Sequence, residues 1–416
     1  MSGAPEAAER AEYSECHTDG GGLRSVRAVT RILALSLASM WLISFPLWIT
    51  TRAYPLSPVS NWLPPIPSPM DHALVWGLLA LLGVVAILPD RRSAILVFVA
   101  GAILLALEDQ TRWQSWFYQY LAMFAVLGAF PRPLRDGRRA RQILNDLRII
   151  VASVYFWSGL QKANRSFVDL LFPSLIDPLI RWLPAGLEPA IASLGPLAPV
   201  VEVGIALGLM FPRTRRVAVV AAVFMHAFIL ASLGLLRGFG HPTIWPWNIA
   251  MPAFVILLFG QDDTTTAREI FASRQGAIHW VVVILFACLP VLSFANLWDS
   301  NLSFTMHSGN VRIGTIRLVE TAVQSLPERI RRLVQRDQDG RFVLGVATWS
   351  SAVFRTPPYP EVRVFRVVAR SLCRPDANPS DVQLIVRGRS IEWSLDPYAV
   401  LASVRPRILV FDCKTL

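Results

Sequence analysis

The chain has 416 residues, is 53% hydrophobic, carries only 17% charged residues and has a formal net charge of +11. A soluble protein of this length has about 25% charged residues, and the apolar residues here fall in long blocks, so the composition excludes an ordinary soluble enzyme and indicates an integral membrane protein. The basic excess flanks those blocks, which fits the edge of a bilayer better than nucleic acid. The four cysteines form no C-x-x-C, so no metal site or redox dithiol is predicted.

In chain order, residues 1–28 are polar and rich in Gly, Ala and Glu, and are expected to be a disordered cytoplasmic N-terminus. The first apolar block lacks a short core followed by a small-residue cleavage site and reads as a retained span. A spanning helix needs about 20 mostly apolar residues. On that measure spans are predicted near 32–50, 72–89, 93–108, 115–131, 147–162, 197–211, 217–236, 244–260 and 278–298. Segment 167–184 is broken by Pro173 and Pro178 and is expected to lie in the interface or re-enter. The expected fold is thus an all-α bundle of about nine transmembrane helices over 29–300, followed by a small α/β domain over 303–416.

With the N-terminus placed in the cytoplasm, seventeen basic residues fall on the cytoplasmic side and six in the opposite loops. The positive-inside rule therefore favours a multi-pass protein of the plasma (inner) membrane, N-terminus in and C-terminal domain out. Ten of the fourteen tryptophans then fall near the outer side, suggesting an aromatic-walled outer vestibule as well as ordinary anchoring.

Past residue 303 charged residues return. Strands are predicted within Val311–Val319, Arg341–Trp349, Asp381–Val386 and Arg407–Phe411. One helix is predicted from Leu326-Pro327-Glu328 and another from after Pro360 to Cys373, with Arg363, Arg366 and Arg370 on one face and Val364, Val368 and Leu372 on another. Outside the cytoplasm Cys373 and Cys413 are candidates for a disulfide; the sequence leaves their proximity open.

Ionisable groups in apolar spans cost about 2.5–3.5 kcal/mol each on insertion scales, so each needs a reason. Lys162 is the most informative. Of the 40 basic residues only Lys162 and Lys414 are lysine, and lysine, unlike arginine, can give up its proton when desolvated. It is a candidate base, or else a lysine reaching for the outer headgroups. His226 is a candidate catalytic or pocket residue, or an interhelical hydrogen bond. Glu202 is a candidate to pair with Lys162 or an arginine. The run from Asp109 through Arg112, Trp113 and Trp116 to Tyr118 is dense in polar and aromatic residues. Its Asp109 and Arg112 stand at helical i,i+3 spacing and are expected to pair. Trp247 and Asn248 open the eighth span beside it, and Tyr155 precedes Lys162 in the fifth. No phosphate-binding glycine loop, metal-ligand spacing or Gly-x-Ser-x-Gly elbow appears.

Three runs resemble the vitamin K-dependent gamma-carboxylase-like, or horizontally transferred transmembrane (HTTM), family over roughly residues 25–300. They are Asp109-x-x-x-Trp113 with Tyr118-x-Tyr120, Tyr155-Phe-x-x-Gly159-x-x-Lys162, and His226 after the basic turn Arg213–Arg216. The resemblance implies a many-helix bundle with a cytoplasmic N-terminus, a quinone or lipid-like ligand, and Lys162 as the base that deprotonates a reduced quinone, with His226 in the pocket. The carboxylase has a histidine where this chain has Trp116, so glutamate carboxylation is not carried over with the rest. The shorter chain implies a reduced or missing propeptide-capturing domain. Two readings are carried forward: a quinone-dependent membrane enzyme of this type, in contact with membrane lipids, and a non-catalytic scaffold presenting the C-terminal domain to an extracytoplasmic protein partner. A transporter is weaker, for want of an inverted repeat.

Overall fold

The computed structural model describes the backbone of residues 4–416 except 61, 132–136, 182–183, 185, 236–241, 261–263, 273–275, 375–377 and 392–406, and, within that backbone, side chains from residue 21 onward other than that of 235. Trp182, and the topology-marking Arg132, Arg135, Arg237 and Arg274, lie outside the described residues.

Helix α1 is Ala4–Ile43. The leader expected to be disordered is thus helical: Ala, Glu and Arg favour helix, and extending an existing helix avoids the cost of nucleation. There follow α2 (Met70–Ile87), α3 (Arg92–Glu108), α4 (Ser115–Ala129), α5 (Gly137–Lys162), α6 (Phe172–Ile180), α7 (Glu188–Ala192), α8 (Leu197–Met210), α9 (Arg215–Leu230), α10 (Ile244–Phe259), α11 (Ala267–Phe271) and α12 (Ala277–Val282). The last runs on through a π-helical turn and a 3₁₀ stretch to Ala295.

Among the described residues, five helical stretches are long and apolar enough to cross a membrane: Gly21–Ile43, Met70–Ile87, Gly137–Lys162, Arg215–Gly234 and Ala277–Ala295. The other four predicted spans correspond to shorter helices, α3, α4, α8 and α10, of 17, 15, 14 and 16 residues. Local chemistry sets their limits. Buried acidic groups close α3, while Pro212 follows the end of α8. Helix α5 is central, with 83% of its apolar window buried against 28% for α2, so polar residues on α5 face other parts of the protein instead of its outer surface. Segment 167–184 becomes a π-helical turn, Phe167–Leu171, and the short α6 with Pro178 inside it.

The C-terminal part is a five-stranded antiparallel sheet of order β2-β3-β1-β4-β5. The strands are β1 (Ile313–Leu318), β2 (Gln335–Arg336), β3 (Phe342–Gly345), β4 (Val382–Arg387) and β5 (Ile408–Asp412). Ile316 pairs with Leu344 on one side and Leu384 on the other. Helices α13 (Glu320–Gln324) and α14 (Glu328–Arg331) connect β1 to β2, and α15 (Val346–Phe354) and α16 (Val362–Arg370) connect β3 to β4. Val364 and Val368 of α16 are buried and Arg363 and Arg370 exposed, as the periodicity predicts. The strand expected over Arg341–Trp349 stops at Gly345. From Val346 the buried positions recur at 346, 349 and 350, a helical and not an alternating spacing. Cys373 and Cys413 form a disulfide that ties the turn after α16 to β5.

This domain docks on the bundle through the polar-aromatic run. Arg363 Nε donates to Gln110 Oε1 at 2.6 Å, Gln114 Nε2 to the Pro357 carbonyl at 3.1 Å, and Trp349 Nε1 to the Ala53 carbonyl at 2.7 Å. Asp299, just past the last long helix, accepts from Arg363 and from the Tyr359 hydroxyl. Burial alone would raise the Asp299 carboxyl, but these donors outweigh it and hold the group below its ordinary 3.8. A carboxyl depressed in the folded state adds stability that is complete above its unfolded value and is lost as pH falls through the folded one. Thermal melting should therefore be flat in this contribution down to about pH 4 and fall below it, and Asp299→Asn should remove that acid-side slope.

Candidate functional site

The site begins at a close helix crossing. Gly159 of α5 lies against α8, where a Cβ would stand 2.8 Å from Glu202 Cβ and 2.9 Å from the Val203 nitrogen. Only glycine permits this approach, and one turn further along α5 it brings Lys162 level with Glu202. Lys162 Nζ donates to Glu202 Oε2 at 2.8 Å and to Ser158 Oγ at 2.6 Å, and both charged side chains are about one-tenth exposed. The pair is the partnership expected of a lysine and a glutamate in apolar spans. Gly159→Val should separate it and cost about 1–3 kcal/mol by overpacking, read by thermal melting in detergent; an unchanged melting temperature would contradict the crossing.

A second polar cluster faces the same space. The Tyr155 hydroxyl lies 2.8 Å from His226 Nε2, and His226 Nδ1 lies 2.8 Å from Asn248 Oδ1. Asn248 spends its Nδ2 on the Ile244 carbonyl, leaving Oδ1 as the acceptor. His226 Nδ1 then carries the hydrogen, and Nε2 of the neutral ring accepts from Tyr155. Trp247 points its Nε1 away, to Gln119 Oε1 at 2.9 Å, and offers its ring.

Between the two clusters is a cavity of about 650 Å³. Lys162, Glu202, Tyr155, His226, Trp116, Trp247 and Asn248 all line it. The walls are otherwise almost wholly apolar. Phe224, Leu197 and Val201 line the cavity yet are 71%, 54% and 48% exposed, so it opens on the apolar outer face of α8 and α9.

The other four candidates, Asp109, Arg112, Trp113 and Tyr118, do not line the cavity. Asp109 and Arg112 do not pair with each other as the i,i+3 spacing suggested. Helix α3 ends at Glu108, and the chain turns through an extended Asp109 into a 3₁₀ turn. Asp109 pairs with Arg52, and Arg112 with Glu108 at 2.5 Å. Burial would raise the Asp109 carboxyl, but the charges of Arg52 and Arg112 bring it below the usual range. Trp113 Nε1 donates to the Ala106 carbonyl, and the Tyr118 ring stacks on Phe286 at 4.8 Å. These residues build the bundle's mouth and its seat for the C-terminal domain.

Sequence reasoning missed other lining residues. Ser158 lies within the Tyr155–Lys162 run and is legible as the i−4 partner of Lys162. Phe167 and Leu171 come from the proline-broken segment, and Met306 and His307 from the connector beyond the bundle. No local spacing links those last two to Lys162. No family model, no curated protein and no solved structure matches the chain.

Proposed function

We propose that this chain is a multi-pass membrane enzyme of the vitamin K-dependent carboxylase-like type, binding a quinone or lipid-like ligand in the cavity beside Lys162. The observation that carries the reading is the buried Lys162–Glu202 pair sharing one apolar cavity with His226. The residues present suit such a ligand. Apolar walls open toward the lipid-facing side, two aromatic rings stand ready to stack, and hydrogen-bonding groups sit at separate points. A reduced quinone supplies an acidic hydroxyl and reducing electrons when bound. Lys162 Nζ and Glu202 Oε2 share a proton across 2.8 Å; with that proton on the carboxyl, the Lys162 amine accepts the ligand's hydroxyl proton and becomes an ammonium, a positive charge beside the oxygen that lost it. His226 Nε2 and the Tyr155 hydroxyl form a second point of proton exchange.

Nine spans, with the N-terminus inside and residues 303–416 outside, complete the proposal. The arginine asymmetry supports it, as does a disulfide in the C-terminal domain, since disulfides persist in oxidising compartments.

Titration with a short-tailed naphthoquinone, followed by quenching of Trp116 and Trp247, tests the binding. Saturable quenching is expected, weakened about tenfold in Lys162→Ala by loss of a charge-assisted hydrogen bond. Absence of quenching, or equal affinity in the variant, would reject it. Lys162→Arg keeps the charge and removes basicity, so full turnover in that variant would reject the base role.

A second reading, a non-catalytic scaffold presenting the C-terminal domain to a protein partner, rests on the edge strand β5, where Ile408 and Val410 are 66% and 59% exposed. It requires that the Lys162, Glu202 and His226 alanine variants work normally.

A further inference from the structure

Lys162 is the last residue of α5, and the chain around it is held from outside the bundle. Gln161 is fully buried. It donates through Nε2 to Ser293 Oγ at 2.8 Å and accepts through Oε1 from Asn310 Nδ2 at 2.6 Å. Asn310 is also fully buried, and its Oδ1 accepts from the Ile391 nitrogen at 2.7 Å, just beyond β4. Asn164 makes a parallel tie. It donates to the Ser308 carbonyl at 2.7 Å and accepts from the nitrogen of Phe167, which lines the cavity. The intervening connector carries Met306 and His307 into the cavity lining. Its backbone is left-handed at Phe304, His307 and Gly309. A Cβ on Gly309 would come within 3.0 Å of the Phe167 nitrogen.

We propose that Asn310 is a positioning residue for Lys162. Through Gln161 it fastens the C-terminal domain to the end of α5, and the connector's side of the cavity wall stays in place beside Lys162 only while that tie holds. The amide of Asn310 is used on both ends, so an apolar replacement takes the partner from the buried Gln161 Oε1 and from the half-buried Ile391 nitrogen. The segment relieves this by moving, and water reaches the lysine. The proposal deepens the ligand-site reading by making the C-terminal domain part of the pocket, but the tie itself requires no ligand.

The chain's two lysines make the test direct. Lys414 lies in an exposed turn and serves as an internal standard. The detergent-solubilised full chain is treated with an amine-acylating reagent, and modification at the two sites is compared by peptide mass spectrometry. Lys162 should react more slowly than Lys414 in the wild type. In Asn310→Leu the Lys162/Lys414 ratio should rise roughly tenfold through local opening, with helical content and Lys414 reactivity unchanged. Gln161→Leu, which leaves the Asn310–Ile391 bond in place, should do the same and serves if the first variant does not fold. An unchanged ratio in a folded variant, or a rise only on global unfolding in both, overturns the proposal. Because no quinone is present, failure here is distinct from failure of the binding titration.

Discussion

Replacing Arg112 with methionine is expected to destabilise the bundle by about 3–5 kcal/mol, the cost of stranding one partner of a buried ion pair. Arg112 is fully buried. Its guanidinium donates to Glu108 Oε2 at 2.5 Å, to the Leu105 carbonyl at 2.8 Å, and to the Leu47 and Trp48 carbonyls at 3.0 Å each. It thereby caps the end of α3 and pins the loop after α1. Methionine fills part of the volume but leaves the Trp48 carbonyl without its donor and Glu108 charged, with the Ile66 nitrogen as its remaining donor; the Leu47 and Leu105 carbonyls lose one donor each and keep Arg52 Nη1 and the Asp109 nitrogen. Arg112→Lys should rescue little, because one ammonium cannot reproduce the planar fork. The double variant Arg112→Met/Glu108→Gln should recover part of the loss, since it removes the stranded charge. Detergent melting curves of the three variants check this, and a loss below about 1 kcal/mol in Arg112→Met would contradict the buried-pair account.

The second large effect lies in the C-terminal domain. Cys373→Ser opens a cross-link with a sequence separation of 40, for which loop-closure entropy gives about 2–4 kcal/mol. Cys413→Ser should cost the same, and the double variant no more than either single one, because both remove a single bond. Loss of the bridge also releases the edge strand β5, so proteolysis should cut near 408–412 before the bundle unfolds. Additive losses in the double variant, or wild-type protease resistance, would contradict the assignment.

Much of this was legible in the sequence because lipid imposes contiguity. Apolar blocks marked the long helices, and the cost of an ionisable group in such a block marked Lys162, Glu202 and His226 as residues that each need a partner; that all three line one cavity is a fact of the fold. Short β-rich runs among returning charges placed β1, β4 and β5. The rest depended on distant partners. Asp109 found Arg52, 57 positions away, and not the neighbour that helical spacing offered, because the helix ended one residue too soon. Strand β3 turned into α15 where alternation gave way to helical spacing at Gly345. Met306 and His307 reach the cavity through a connector whose left-handed residues carry no side-chain signature. The leader's helix follows from its attachment to a span, which composition alone does not reveal.

A ring-bearing lipid in the proposed site beside Lys162 should survive gentle extraction of the protein from its own membrane and be visible by native mass spectrometry. The wild-type species should carry one adduct whose mass and absorbance match a quinone, and Lys162→Ala should lose it. A wild-type protein that flies bare, or an adduct retained in full by Lys162→Ala, would contradict it.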